Sequence, residues 1–296
     1  MNLNLIDLSK LKSIKLIPAR DVTRVEEVAG FVCDFYVKDI ETLGVAIAGG
    51  YRCGSVTNID HHAPMQRMAS PTISSATLAL DYARAYNKVA EGAAVVINHT
   101  DADSILTSGI MSGVIEPDEK FGKAAICADH TGAPDDIADM LQGLSGLKNI
   151  EYSFQNLRLL LRGKPLEPKA EKALMHCRAD REKAKRIVKR FKQCGRVYCV
   201  HMPYQCHTNL FVSLLPEAEV ILIHFPSKKF KGQNSVRVRL GQAAPKGLWL
   251  NRLTLPSFGG RWNAGSSERH GGVTLTVKEY ADAVNEQVET FLAKTK

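Results

Sequence analysis

Short apolar runs alternate with helical periodicity through the first half of the chain. Phe31-Val32-Cys33 predicts a buried strand that ends at Asp34. Leu43 to Ala48, Ser55 to Ile59, Ala93 to Ile97 and Lys123 to Ala128 predict four more. Between them, Ser70-Pro71 reads as an N-cap followed by Pro at the first helical position, opening a helix to about Asn87. A helical pattern follows the Ala93 strand through Met111, and Pro134-Asp135-Asp136 opens another helix. Strands that are apolar at every position are buried on both faces. In alternating strand–helix order this predicts an α/β fold, a mostly parallel sheet with helices on both faces.

The pattern then changes. Residues 148–162 and 168–193 read as two helices broken by Gly163-Lys164-Pro165. The second carries Arg178, Arg181, Lys183, Lys185, Arg186, Lys189, Arg190 and Lys192, which a solvated face explains and a nucleic-acid-facing helix also would. Strands return at Arg196 to His201, Glu219 to Phe225 and Ser235 to Leu240, and Lys278 to Ala293 closes the chain as an amphipathic helix. The expected organisation is an α/β domain over 1–148, a helical linker over 149–194 and a smaller α/β domain over 195–296.

Composition narrows the class. With 45% hydrophobic and 24% charged residues, the chain is neither disordered, collagenous nor mainly coiled coil. The net charge of +8 is uneven. Residues 1–145 hold 12 Lys and Arg against 19 Asp and Glu, a net of −7, and residues 146–296 hold 27 against 12, a net of +15. The opening Met1 to Asp7 has no basic segment leading into an apolar one, and no apolar run is long enough to span a bilayer. Seven cysteines, an odd number, then read as reduced thiols in a cytoplasmic protein.

Four polar clusters follow predicted strands in the acidic half: Asp34, Asp60-His61-His62, His99-Thr-Asp101-Ala-Asp103, and Asp129-His130. In open α/β sheets ligands bind beyond the carboxyl ends of the strands, so the four should converge. Carboxylates with imidazoles suit Mn²⁺, Mg²⁺ or Zn²⁺. So many carboxylates at one place need a counter-charge, which a pair of divalent cations supplies. Taken singly, Asp34 is equally a turn residue, Asp103 a cap for the helix after it, and His130 a solvated or supporting histidine.

These residues resemble a family. Asn58-Ile59-Asp60-His61-His62-Ala63-Pro64 is similar to the signature of the DHH phosphoesterases. His99-Thr100-Asp101-Ala102-Asp103-Ser104 resembles their H-x-D-x-D-G motif, Asp129-His130-Thr131-Gly132 their later D-T-G-like motif, and Asp34 their isolated aspartate. Phe258-Gly259-Gly260-Arg261-Trp262-Asn263-Ala264-Gly265-Ser266 resembles the G-G-H-x-x-A-x-G loop of the associated DHHA1 substrate domain, and Val236-Arg237-Val238-Arg239-Leu240 the basic strand before it. Three features depart from the family pattern. The H-x-D-x-D strand lies between the D-H-H and the last Asp, a permuted order. Ser104 stands where Gly is common, and Arg261 where His is usual.

The resemblance implies a two-metal phosphoesterase. His99 and Asp101 would hold one ion, Asp34 would bridge both, and Asp103, His61 and Asp129 would hold the other. His62 with Asp60 would be catalytic, His62 lying near the scissile phosphate as proton donor or support. Arg261, Gly259, Gly260, Asn263 and Arg239 would grip the substrate phosphate from the second domain. The ions would be Mn²⁺ first, with Mg²⁺ or Co²⁺ as alternatives. They would activate a water against a phosphoester or phosphoanhydride of a nucleotide, short oligonucleotide, cyclic dinucleotide or polyphosphate. Short RNA or DNA and a homodimeric assembly stay open as partners; a membrane does not.

A different class of function is a nucleic-acid-binding or regulatory protein on the same scaffold without turnover, motivated by the basic helix and the basic C-terminal half. It predicts salt-sensitive, metal-independent binding. Cys199-x-His201 with Cys206-His207 lacks the usual zinc spacing. No G-x-x-x-x-G-K-[ST] loop or G-x-S-x-G elbow is present, which leaves ATPase and serine-hydrolase readings unsupported.

Overall fold

The computed structural model describes residues 5–18, 23–62, 69–86 and 93–295. Ala63 and Pro64 of the D-H-H motif, the helix end near Asn87 and the opening Met1 to Asn4 lie outside the described residues. The chain is α/β and divides into two compact units, Met1–His130 with Pro134–Asp180, and Thr131–Ala133 with Arg181–Lys296.

The first unit is built on a six-stranded sheet. Its strands are β1 (Ile14–Leu16), β2 (Gly30–Cys33), β3 (Val45–Ile47), β4 (Gly50–Cys53), β5 (Val56–Ile59) and β6 (Val95–Ile97). Their order is β1-β6-β2-β5-β4-β3. The pairs β1–β6, β6–β2 and β2–β5 are parallel, and β5–β4 and β4–β3 are antiparallel. β5 and β6 are buried at every position, so both faces of the sheet centre are covered; β6 is apolar throughout, while β5 buries the polar Thr57 and Asn58 as well.

Its helices are α1 (Ile40–Leu43), α2 (Ser75–Tyr86), α3 (Ala102–Ser112), α4 (Glu119–Ile126), α5 (Asp136–Leu144), α6 (Ile150–Leu161) and most of α7 (Pro168–Ile187). α3 is buried along its whole length. Gly109 lets it fit there, because a Cβ at that position would lie 2.7 Å from the Phe154 ring and 2.6 Å from Ile115.

Several expected elements differ. The run Lys123 to Ala128 is helical, not a strand. It forms the last turns of α4, which continues into a π-helical turn over Cys127–Thr131. A short apolar run fits a buried helix as well as a strand, and here Asp118 caps the helix through the Lys120 amide. The helix expected from Ser70-Pro71 begins at Ser75. Its start is fixed by Ser74 and Thr77, whose side chains accept each other's backbone N–H. Leu43 ends α1 rather than opening a strand.

The helices expected as a linker form no third body. α6 belongs to the first unit, and the division falls within α7, between Asp180 and Arg181. α7 itself ends at Ile187, six residues before expected, and its buried positions Ala170, Leu174, Ala184 and Ile187 make one narrow stripe. The Lys and Arg residues around that stripe are largely exposed, as a solvated face requires.

The second unit carries another six-stranded sheet: β7 (Lys192–Cys194), β8 (Val197–His201), β9 (Val220–Pro226), β10 (Asn234–Leu240), β11 (Gly259–Gly260) and β12 (Ala264–Ser266). The order is β11-β12-β10-β9-β8-β7, and only β8–β9 is parallel. Its core lies on both faces. Val197, Leu222, Val236 and Val238 pack with Tyr280, Val284 and Val288 of α8 (Val277–Thr295), and Ile221, Ile223 and Phe225 pack with Ile187 and Phe211. Among the described residues no helix is long and apolar enough to cross a membrane.

Candidate metal centre

Three of the four polar clusters follow neighbouring strands of the first sheet. Asp34 follows β2, Asp60-His61-His62 follow β5, and His99 to Asp103 follow β6. β6, β2 and β5 are parallel neighbours, so their carboxyl ends share one edge, with β2 in the middle. Chain order and spatial order need not agree, because parallel strands are joined by crossovers.

Asp34 therefore sits between the two flanking motifs. Its backbone is left-handed, with φ +60°, a conformation an aspartate tolerates better than most residues. Asn58 of β5 holds that turn. Its amide donates to the Val32 and Phe35 carbonyls, at 3.1 and 3.0 Å, and its oxygen accepts the Val37 N–H. The Asp34 carboxylate is buried and accepts two hydroxyls, Ser75 Oγ at 2.8 Å on Oδ1 and Ser104 Oγ at 2.7 Å on Oδ2. Three imidazoles also approach it. His99 Nε2 lies 3.2 Å from Oδ2 and His62 Nδ1 3.7 Å from Oδ1, and His61 contributes charge. Burial alone would raise this carboxyl, but the His99 bond and the surrounding imidazoles hold it well below the usual range.

On one side, His99 Nε2 lies 3.3 Å from Asp101 Oδ2 while its Nδ1 meets the Asn98 side chain. Asp101 also caps α3, Oδ1 accepting the Ser104 amide at 3.0 Å. On the other side, His61 Nε2 lies 3.3 Å from Asp129 Oδ2, and His61 Nδ1 and His130 Nε2 both meet the Ile73 carbonyl, at 3.2 and 2.8 Å. Burial lowers the basicity of both imidazoles, yet the carboxylates outweigh it. His61 is pushed up to about 10 by Asp129, Asp103 and Asp34, and His99 to about 11 by Asp101 and Asp34. His62 Nδ1 lies 2.7 Å from Asp60 Oδ1, and Asp60 is buried while His62 is partly exposed.

Three groups place ligand atoms within 4.8 Å of one another: Asp34-His99-Asp101, Asp34-His61-His62 and His61-Asp129-His130. Buried aspartate and histidine clusters of this kind could hold metal ions. The donors fit divalent cations, being imidazole nitrogens and carboxylate oxygens, and Asp60 Oδ2 is buried with no hydrogen-bond partner. Asp34 belongs to two of the groups and so joins them.

Asp103 is placed differently from the other motif residues. It lies in the first turn of α3, fully buried, and its two oxygens accept the Ser75 and Ala76 amides at 2.8 and 2.7 Å. Thr107 Oγ1 adds a third bond at 3.3 Å. Asp103 thus satisfies the N-terminus of α2, not that of its own helix, which Asp101 caps. It shares in none of the three groups. Burial and the charge on Asp34 push its carboxyl up, and the nearby His61 opposes that shift.

In the second unit, Gly259 and Gly260 form β11, and Arg261 to Asn263 form the turn into β12. The Arg261 amide donates to the Ala264 carbonyl at 2.9 Å, and the Asn263 carbonyl accepts the Leu240 amide at 2.9 Å. Arg239 stands opposite Ala264 in the β10–β12 ladder and its Nε donates to Thr208 Oγ1 at 3.3 Å. The five residues expected to grip phosphate are therefore gathered at one end of this sheet. Gly260 permits the turn's closeness: a Cβ there would lie 2.3 Å from the Ala264 carbonyl oxygen.

Sequence reasoning missed Ser75, the Ile73 carbonyl, and Arg237. Nothing in the chain order ties Ser75 to Asp34, because the pairing depends on where α2 docks. Arg237 was visible in the basic strand. Its guanidinium lies 5.9 Å from the Phe225 ring centre, its buried Nε has no hydrogen-bond partner, and burial pushes it down. No metal group forms around Cys199 among the described residues: Cys199 packs into the α8 face, and His201 Nδ1 lies 2.8 Å from His224 Nδ1.

No protein-family model and no curated protein matches the chain. Among solved structures it is similar to a pGpG-specific phosphodiesterase, PggH, from Vibrio cholerae, at 12% identity and a TM-score of 0.40, over 67% of this chain and 75% of that one. It is also similar to an exopolyphosphatase-related protein from Bacteroides fragilis, at 14% identity and a TM-score of 0.39, over 96% of this chain and 75% of that one.

Proposed function

We propose that the chain is a metal-dependent phosphoesterase acting on a nucleotide, short oligonucleotide, cyclic dinucleotide or polyphosphate. The observation that carries this reading is the position of Asp34 between Asp34-His99-Asp101 and the His61 groups at three adjacent parallel strand ends. Divalent ions held there, Mn²⁺ by preference and Mg²⁺ or Co²⁺ otherwise, would offset phosphate charge and activate water for displacement at phosphorus.

The protein's own residues supply the rest. Asp34, His99 and Asp101 would hold one ion, and Asp34 with His61 and Asp129 the other. Ser75 and Ser104 fix both oxygens of Asp34 by donating to them. Asp60 accepts the Nδ1 proton of His62, which orients that imidazole toward the reacting phosphate and leaves Nε2 to give or take a proton. In the second unit, Arg261 and Arg239 supply bidentate donors for an anion, with Gly259, Gly260 and Asn263 shaping the turn. Arg237 supports this reading too, because a buried guanidinium nitrogen without a partner is costly unless an anion meets it.

The test is a substrate panel with Mn²⁺, Mg²⁺ and Co²⁺, spanning linear dinucleotides, cyclic dinucleotides, polyphosphate and nucleoside bisphosphates. Metal-dependent product release from one class supports the proposal. No turnover of any, together with metal-independent and salt-sensitive RNA binding, would favour a binding protein instead.

A further inference from the structure

Asp103 and His130 occupy each other's expected circumstances. The motif resemblance makes Asp103 a ligand, but both its oxygens are engaged by the first amides of α2, and it is a member of none of the three ligand groups, although its Oδ2 lies 3.7 Å from His61 Nδ1. His130 is the reverse case. It lies on the π-helical turn Cys127–Thr131, buried, with its ring 5.3 Å from that of His61, and it completes a group with His61 and Asp129. Single π-turns recur at functional sites because they re-aim one side chain without ending a helix.

The Ile73 carbonyl decides which ring nitrogens can bind a cation. A carbonyl oxygen only accepts, so each imidazole nitrogen bonded to it carries the proton. For His61 that nitrogen is Nδ1, and for His130 it is Nε2. Once neutral, the two rings therefore present their opposite nitrogens, Nε2 from His61 and Nδ1 from His130, as lone-pair donors. One backbone oxygen thus fixes complementary tautomers in two histidines, the outer support that metal-ligating histidines use.

We propose that His130, through Nδ1, is a metal ligand of the second ion position, standing in for Asp103, and that Asp103 instead anchors α2. The inference rests on the metal-dependent reading above. It has an electrostatic consequence. With a neutral imidazole in place of the Asp103 carboxylate, the second position would have two carboxylates, Asp34 and Asp129, the same number as Asp34 and Asp101 give the first.

The experiment is Mn²⁺ and Co²⁺ binding to the full chain, stripped with chelator, by calorimetry with metal content counted after desalting. Wild type is expected to bind two ions in two resolvable steps. His130→Ala and His130→Gln are expected to leave one step unchanged and weaken the other at least 10-fold, and to change the visible absorption of one Co²⁺ equivalent alone. Asp103→Asn is expected to lower thermal stability while retaining two ions. His130 variants that bind both ions as wild type does, with an unchanged Co²⁺ spectrum, would overturn the proposal while leaving the phosphoesterase reading intact. A wild type that binds no ion would overturn both. His130→Gln preserves volume and a donor for Ile73, so it decides the matter should His130→Ala not fold.

Discussion

Ser75 Oγ donates to Asp34 Oδ1 at 2.8 Å and accepts the His61 amide at 3.2 Å, linking the first turn of α2 to the central aspartate and to the D-H-H loop. Ser104 Oγ takes the other oxygen at 2.7 Å. Both hydroxyls leave the outer lone pairs of Asp34 for a cation while fixing the plane of the carboxylate. Ser75→Ala and Ser104→Ala should each weaken metal affinity by about 10–100-fold, the usual effect of removing a bond that orients a ligand. Each should also cost roughly 1–3 kcal/mol of stability, since a buried acceptor loses its donor. Calorimetric metal titration beside thermal melts checks both. Unchanged metal affinity in the double variant would show that Asp34 needs no such clamp.

The pH response of the ion-free protein follows from the same cluster. His61 and His99 have folded values near 10 and 11, above the ordinary 6.5. A group raised on folding stabilises fully below its unfolded value, and that contribution disappears as pH rises through the folded one. The stripped protein should therefore lose stability progressively between pH 6.5 and about 11. Metal binding at neutral pH must displace these protons, so calorimetry in buffers of different ionisation enthalpy should report proton release. An uptake of protons would contradict this picture.

His224 gives an opposite sign in the second unit. Its Nε2 donates to the Leu275 carbonyl at 3.0 Å, and Nδ1 therefore accepts from His201. Burial first, then the neighbouring His201, push His224 below its ordinary value. A depressed histidine stabilises above its unfolded value, and that contribution is lost as pH falls below 6.5 and through the folded value. Unfolding of this unit should become easier in mild acid, and His224→Gln should flatten that dependence. An acid response identical in the variant would assign the effect to other groups.

The glycine-rich turn should act on substrate and not on metal. Arg261→Ala should raise KM by roughly 10–100-fold, the worth of hydrogen bonds to a charged group, with metal content unchanged. Gly260→Ala should do the same and lower stability, because its Cβ would lie 2.3 Å from the Ala264 carbonyl oxygen. Steady-state kinetics with metal counting separate the two effects. A loss of bound metal in Arg261→Ala would contradict the assignment.

Much of this arrangement was legible in the residues. β2 and β6 announce themselves as short apolar runs, β5 as a short strand pattern ending in Ile59, and each is followed within two residues by its Asp or His. The β6-β2-β5 adjacency was not legible, because three parallel strands can be ordered in several ways by their crossovers, and only the sheet shows Asp34 in the middle. Lys123 to Ala128 misled for a related reason. Ala, Ile and Cys in a six-residue run carry no period, and the buried Phe121, Gly122, Ala124 and Ala125 belong to a helix face that extends further back. The role of Asp103 was hidden because its partners, the Ser75 and Ala76 amides, lie 28 and 27 residues away in sequence.

The central claim is that Asp34 organises cations for phosphoester hydrolysis, and product release by Asp34→Asn against wild type tests it most directly. Asn tolerates the left-handed backbone at φ +60° and can keep a hydroxyl bond, so the fold should survive. The account predicts Mn²⁺-dependent turnover of a phosphoester or phosphoanhydride by wild type, abolished by chelator and absent in Asp34→Asn at an unchanged circular dichroism spectrum. Turnover by Asp34→Asn at the wild-type rate, or turnover by wild type that persists in excess chelator, would contradict it.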